Sequence, residues 1–191
     1  MHRYAWSQLN PMACAANMAY SLQRLTQWDH ALCIRVNRAS GNRLARDTFR
    51  AVSWLGNGVF WYALILALLL AFRTDAVPAV AHMIATGLVC TLLYKWLKHK
   101  TSRPRPYQVH EEIVCSAQPL DHFSFPSGHT LHAVAFSIVA IAYYPALIWL
   151  LLPFALLTAS SRVILGLHYP SDVLAGALAG TLIAGSLLAI F

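Results

Sequence analysis

Charged side chains are scarce in this chain: Asp, Glu, Lys and Arg make up 11% of its 191 residues, about half the share usual in a soluble domain. So few polar groups cannot coat a water-soluble helical bundle, which argues against that class. Acidic residues are scarcer still. Glu111, Glu112 and Asp121 fall in one loop without ligand-like spacing, so no carboxylate cluster for Mg²⁺ is expected and no cofactor is implied. Cys14, Cys33, Cys90 and Cys115 show neither disulfide nor metal spacing and read as ordinary thiols. The N-terminus lacks an apolar core followed by a small-residue cleavage site, so the first apolar span is expected to direct insertion. There is no internal repeat and no low-complexity segment.

Hydrophobic residues are abundant, at 58%, and they are clumped. Five stretches run long with little charge: Trp54–Phe72, Val77–Leu97, Thr130–Tyr144, Ala146–Leu165 and Val173–Phe191. A bilayer crossing takes about 20 mostly apolar residues. Four stretches meet that need; Thr130–Tyr144 is short and must borrow residues from Ser127 onward. The predicted fold is all-α, a polytopic membrane bundle of about five transmembrane helices. Residues 1–53 differ. They carry Arg3, Arg24, Arg35, Arg38, Arg43, Arg46 and Arg50 against Asp29 and Asp47, with apolar residues interleaved at helical spacing. This pattern predicts one or two amphipathic helices on the membrane surface rather than a nucleic-acid arm. The chain thus divides into an interfacial segment, 1–53, and a membrane-embedded core, 54–191, with its polar loop at 98–127.

Alternating five crossings places the long loop, the turn Gly166–Asp172 and the N-terminal segment on one face. The short connections at residues 72–77 and 144–146 fall on the other. Every chemically interesting cluster therefore lies on one side of the membrane. A loop as long as 98–127 is uncommon without a function.

Three clusters carry that chemistry. Lys98-His-Lys-Thr-Ser-Arg103-Pro-Arg105-Pro106 gathers cations at the end of a span, as an anion site would, although interfacial anchors look similar. In Phe125-Pro126-Ser127-Gly128-His129-Thr130, Ser127 suits a helix N-cap and Gly128 permits close backbone approach. Free amides at such a helix start cradle phosphate, with His129 one turn inside. In Ser161-Arg162-(five residues)-His168-Tyr-Pro170-Ser-Asp172, ionisable groups sit where spans end, which is costly unless they are paired or functional. Asp172 follows His168 by four residues and could accept a hydrogen bond from Nδ1, leaving the other ring nitrogen as a nucleophile. Lys98, Arg105 and Arg162 can neutralise phosphoryl oxygens, while Ser127 and the Gly128 amide add hydrogen bonds. His129 can protonate a leaving group.

Together these clusters resemble the three signature motifs of the type 2 phosphatidic acid phosphatase family, intact and in order across about 75 residues. The resemblance implies that His168 forms a phosphohistidine, that Asp172 orients it and that His129 is the general acid. It makes Lys98, Arg105, Ser127, Gly128 and Arg162 the phosphate binders, while Arg103 is no signature position. It implies metal-independent hydrolysis of a lipid phosphate or diphosphate. Soluble vanadium-dependent haloperoxidases share the motifs, but the apolar spans argue against them. Many membrane members have six spans, and the shorter layout is similar to compact bacterial members acting on undecaprenyl diphosphate. Phosphatidate or phosphatidylglycerol phosphate are the alternative substrates, and a lipid phosphotransferase the alternative reaction. The resemblance implies a bacterial inner membrane and a periplasmic active site. The N-terminal arginines, read by the positive-inside rule, point to the cytoplasm instead.

Overall fold

The computed structural model describes residue 24 and residues 26–190, and all of its regular structure is helical. Met1–Gln23, with Arg3 and Cys14, lie outside the described residues. The helices are α1 (26–37), α2 (Arg43–Trp54), α3 (Phe60–Phe72), α4 (Val77–Thr101), the single turn α5 (Pro106–Val109), α6 (Gly128–Tyr143), α7 (Ile148–Ile164) and α8 (Pro170–Ile190).

Each of the five apolar stretches contains one long helix, from α3 to α8 without α5. Among the described residues, three continuous helical segments are long and apolar enough to cross a membrane: Arg43–Val109, Pro145–Ile164 and Pro170–Ile190. The first of these is not one rod. Asn57 and Gly58 leave helical geometry, Gly58 at φ 119°, inside a wide turn at Leu55–Val59. Arg73 takes φ 50° before a 3-10 turn, Arg73–Ala76, that sends the chain into α4. The stretch read from Trp54 to Phe72 as one span is therefore broken near its start. The sequence Gly56-Asn57-Gly58 supplies the reason, because paired glycines weaken a helix most.

The outer surface is what a bilayer requires. Leu66, Leu70, Leu88, Leu92, Leu174 and Leu178 are all exposed, a lipid-facing belt that water would not tolerate at this density. These apolar helices make the chain an integral membrane protein.

Helix α6, at 16 residues or about 24 Å, is the central one of the five. It packs against α4, α7 and α8, burying Leu131, Ala133, Ala135, Val139 and Ala140. Surrounded in this way, it does not need to match the bilayer thickness itself. Its closest neighbour is α8, and two glycines explain why. A Cβ on Gly176 would come within 2.6 Å of the Ser127 carbonyl oxygen, and one on Gly180 within 2.5 Å of that of Leu131. Small residues four apart let two backbones touch, the usual device where no hydrophobic effect drives helix association.

The N-terminal helices are built into this bundle. Asn37, at the end of α1, is buried. Its amide donates to the carbonyls of Val114 (3.0 Å) and Ile164 (2.9 Å), and its oxygen accepts from Val114 N–H at 2.9 Å. It joins α1 to the long loop and to the end of α7. Helix α2 packs on α7.

Candidate active site

The Ser161–Asp172 turn is shaped by its own backbone. The Arg162 carbonyl accepts from both Leu167 N–H (3.0 Å) and His168 N–H (3.1 Å). Gly166 sits at φ 74°, where a Cβ would also lie 2.7 Å from the Val114 carbonyl oxygen, so this position requires glycine. The five-residue spacer between Arg162 and His168 is thus the length of a closed helix end that folds the imidazole back beside the guanidinium. Pro170 then opens α8 at the position where its missing N–H costs nothing.

His168 is 2% exposed, and its two nitrogens meet different surroundings. Nδ1 lies 2.6 Å from the Ser124 carbonyl oxygen. A carbonyl only accepts, so Nδ1 carries the proton and Nε2 bears the lone pair. Nε2 faces Arg105 Nη1 at 3.3 Å. Burial, followed by the charges of Arg162, Arg105 and Lys98, holds the ring's pKa well below its ordinary 6.5, with the Ser124 carbonyl opposing. The ring is therefore neutral.

Asp172 does not make the Nδ1 hydrogen bond expected from its spacing. Its Oδ2 is 3.7 Å from Nδ1, beyond hydrogen-bonding range. That oxygen instead accepts from Tyr169 N–H at 2.9 Å, closing the first turn of α8, and Oδ1 accepts from Arg103 at 2.6 Å. The carboxylate lies beside the imidazole, buried and 3.7 Å from Nδ1, and a backbone carbonyl fixes the tautomer.

Lys98 and Arg105 converge on Asp121. Lys98 Nζ donates to both carboxylate oxygens at 2.6 Å and to the Phe123 carbonyl at 3.1 Å. Arg105 donates through Nη2 to Asp121 Oδ1 (2.9 Å), through Nε to the Asp121 carbonyl (3.0 Å) and through Nη1 to the Leu167 carbonyl (2.8 Å). Burial pushes the Asp121 carboxyl up, but Lys98 and then Arg105 overcome this and hold it below its ordinary value. Sequence reasoning set Asp121 aside for lack of ligand spacing. Its partners are cations, reached across a folded loop. Arg162, also buried, donates a short hydrogen bond to Ser53 of α2 and has its Nε unpartnered among the described residues.

A cavity of about 370 Å³ opens in front of these groups. At one end it is lined by Lys98, Arg105, Arg162, Gly128, His129 and His168. Toward the membrane interior Trp61, Tyr62, Ile65, Met83, Ile84 and Leu88 line it, between α3 and α4. Its shape is a cationic head on an apolar, aromatic throat. Six of the eight sequence-predicted site residues reach this wall, while Ser127 and Asp172 do not. Ser127 occupies the N-cap position of α6 but makes no side-chain cap. Its hydroxyl pairs with that of Thr130 at 3.0 Å, and its N–H donates to the Asp172 carbonyl at 3.0 Å. Both residues brace the wall from behind. Gly128 is not forced by crowding there, since a Cβ would meet the Tyr94 ring at an ordinary 3.6 Å.

The sequence model of the PAP2 superfamily matches residues 75–191. The undecaprenyl-diphosphatase BcrC of Bacillus subtilis is 35% identical over 127 residues, 66% of this chain and 65% of that protein. An undecaprenyl-diphosphatase of Sulfolobus acidocaldarius is 30% identical over 122 residues, 63% of this chain and 58% of that protein. Both matches thus cover less than two thirds of the relative's own length. Among solved structures, Aquifex aeolicus LpxE superposes with a TM-score of 0.73 at 29% identity, covering 83% of this chain and 93% of that one. A PAP2 type phosphatidylglycerolphosphate phosphatase from Bacillus subtilis gives a TM-score of 0.71 at 24% identity, covering 87% and 86%, a likeness of fold. With more than half of its length matched, and with the three motifs gathered around one cavity, the chain belongs to the PAP2 superfamily.

Proposed function

We propose that this chain is an integral membrane phosphatase that hydrolyses a lipid phosphate or diphosphate through a phosphohistidine at His168, without a metal ion. One observation carries the reading: the lone pair of a buried, neutral imidazole faces a cationic head at the end of an apolar throat. A phosphate headgroup suits the first region and acyl or prenyl carbons the second.

In the proposed reaction Lys98, Arg105 and Arg162, with the amides at the start of α6, take the phosphoryl oxygens. Ser127 holds that helix start in place. Nε2 of His168 attacks phosphorus, an N–P bond forms and the bond to the lipid oxygen breaks. His129 gives that oxygen its proton. The Nδ1 proton stays on the ring, its bond to Ser124 retained, and Asp172 offsets the positive charge that develops there. Water, deprotonated by His129, then attacks phosphorus and frees His168 as inorganic phosphate leaves. Transfer to another lipid in place of water is the second reading, since nothing in these steps specifies the acceptor.

Undecaprenyl diphosphate is the favoured substrate, ahead of phosphatidate and phosphatidylglycerol phosphate, because the two sequence relatives above are named for it. Phosphate release from these three lipids in matched detergent, with and without EDTA, tests the reading. Release in EDTA is expected, fastest from undecaprenyl diphosphate. No release from any of them, or full activity in His168→Ala, would refute it.

We further propose five crossings, α3, α4, α6, α7 and α8, with the site facing the periplasm of a bacterial inner membrane. The N-terminal arginines pull the other way. Cys115 is free and exposed on the long loop, so an impermeant thiol reagent applied to intact cells reads the orientation directly. Labelling lost in Cys115→Ser supports the periplasm; labelling only after lysis places the site in the cytoplasm.

A further inference from the structure

The N-terminal helix supplies a buried carboxylate to the back of the catalytic turn, and neither the signature motifs nor residues 75–191 include it. Asp29 lies on α1, its side chain only 9% exposed. Its Oδ2 accepts from Arg103 Nη2 at 2.8 Å and from the Ser171 hydroxyl, and its Oδ1 accepts from Ser171 N–H at 2.9 Å. The other arm of the same guanidinium, Nη1, donates to Asp172 Oδ1 at 2.6 Å and to Ser171 Oγ at 2.8 Å. Arg103 lies over the Tyr169 ring, 4.1 Å from its centroid. One planar fork therefore bridges two carboxylates, a separate nitrogen to each, a fixed geometry that a Lys ammonium does not reproduce.

The charge count gives this bridge its meaning. Arg103 alone would cancel Asp172, the charge nearest His168 Nδ1, and leave the back of the ring neutral. Two carboxylates around one guanidinium leave one net negative charge there. Cys33, whose thiol lies 3.9 Å from the His168 carbonyl oxygen, senses the field. Burial, then Asp29 and Asp172, push it up to about 12, and Arg103 only partly opposes. A negative field on this side favours the imidazolium character that builds as Nε2 bonds to phosphorus.

We propose that Asp29, acting through Arg103 on Asp172, is a positioning residue for the His168 nucleophile. It holds Arg103 across two carboxylates and keeps the ring backed by net negative charge. It touches no part of the cavity that takes the phosphate, so its effect belongs to the chemical step and not to binding. This rests on the phosphatase reading above.

The test compares purified full-length wild type, Asp29→Asn and Asn37→Ala in detergent, with undecaprenyl diphosphate as the probe. In Asp29→Asn, kcat is expected to fall about tenfold while KM stays within about twofold. Asn37→Ala loosens the tie of α1 to Val114 and Ile164 but leaves Arg103 and both carboxylates untouched. It is expected to lower Tm while holding kcat within about twofold of wild type. Equal kcat in Asp29→Asn and wild type, or an equal kcat loss in Asn37→Ala, overturns the inference and leaves Asp29 as a mere anchor. Should Asp29→Asn not fold, Arg103→Lys decides it: the same loss confined to kcat is expected, and wild-type kcat overturns it. Absence of phosphate release from the wild type refutes the phosphatase reading itself, a different result from an active wild type matched by its variants.

Discussion

On its Nε2 side, His168 meets Arg105, with Lys98 and Arg162 lining the same end of the cavity. On its Nδ1 side it meets the Ser124 carbonyl, the Asp172 carboxylate and, behind them, Arg103 and Asp29. The front is an excess of cations, which after burial hold the ring's pKa well below its ordinary value. The back is an excess of acceptors that fixes the tautomer and tolerates positive charge once it forms. In the proposed reaction a neutral ring divided in this way attacks phosphorus, and neither side would suffice for it, since cations alone would oppose the phosphorylated imidazolium and acceptors alone would repel the substrate.

The largest effect should come from removing the ring between the two sides. His168→Ala is expected to cut phosphate release by roughly 10³-fold or more with folding intact by thermal unfolding. Next is the front. Arg105→Lys keeps the charge but cannot reproduce donation to Asp121 and to the Leu167 carbonyl together. A loss of about 10²-fold in kcat/KM is expected, and near-normal kinetics would show that charge alone suffices there.

A smaller effect, of opposite sign, is expected at Asp121. Its carboxylate engages Lys98 and Arg105, so a phosphate must compete with it for both cations. Asp121→Asn should lower KM, and the inhibition constant of inorganic phosphate, by about threefold, because a larger fraction of the sites is competent to bind. A raised KM would instead make Asp121 an organiser of the cation pair.

The smallest effect is the contribution of His168 to stability. Folded, the ring stays neutral well below its ordinary 6.5 because of burial and then Arg162, Arg105 and Lys98. Unfolded, it takes up a proton near that ordinary value. Stability from this source is therefore whole above pH 6.5 and is lost as pH falls toward the folded pKa. The Tm of the wild type should drop more between about pH 6.5 and 5 than that of His168→Gln. Parallel curves would mean that the folded ring keeps its ordinary pKa.

Much of this architecture was legible in the sequence. Apolar stretches had to become helices because a bilayer allows little else, and the motif spacing brought Lys98, Arg105, Arg162, Gly128, His129 and His168 to one wall. The break at Asn57 and Gly58 was signalled by its glycines, yet it was hidden within an apolar run. Other features had no local signal. The partner of Nδ1 is a backbone carbonyl, a group every residue possesses, so nothing in the sequence singles out Ser124. Asp121 lies 23 positions from Lys98, and Asp29 lies 74 from Arg103. Such pairings depend on how a long loop and an N-terminal helix close over the turn. The spacing of His168 and Asp172 suggested a direct hydrogen bond, but the Tyr169 amide and Arg103 already claim that carboxylate.

In the proposed reaction the front of His168 becomes bonded to phosphorus. Undecaprenyl diphosphate radiolabelled in its terminal phosphate, mixed with excess enzyme and quenched in alkali within one turnover, tests it most directly. A base-stable, acid-labile label is expected on the wild-type chain, decaying as phosphate appears and absent from His168→Ala. Turnover by the wild type without any labelled protein, or the same label on His168→Ala, would contradict it.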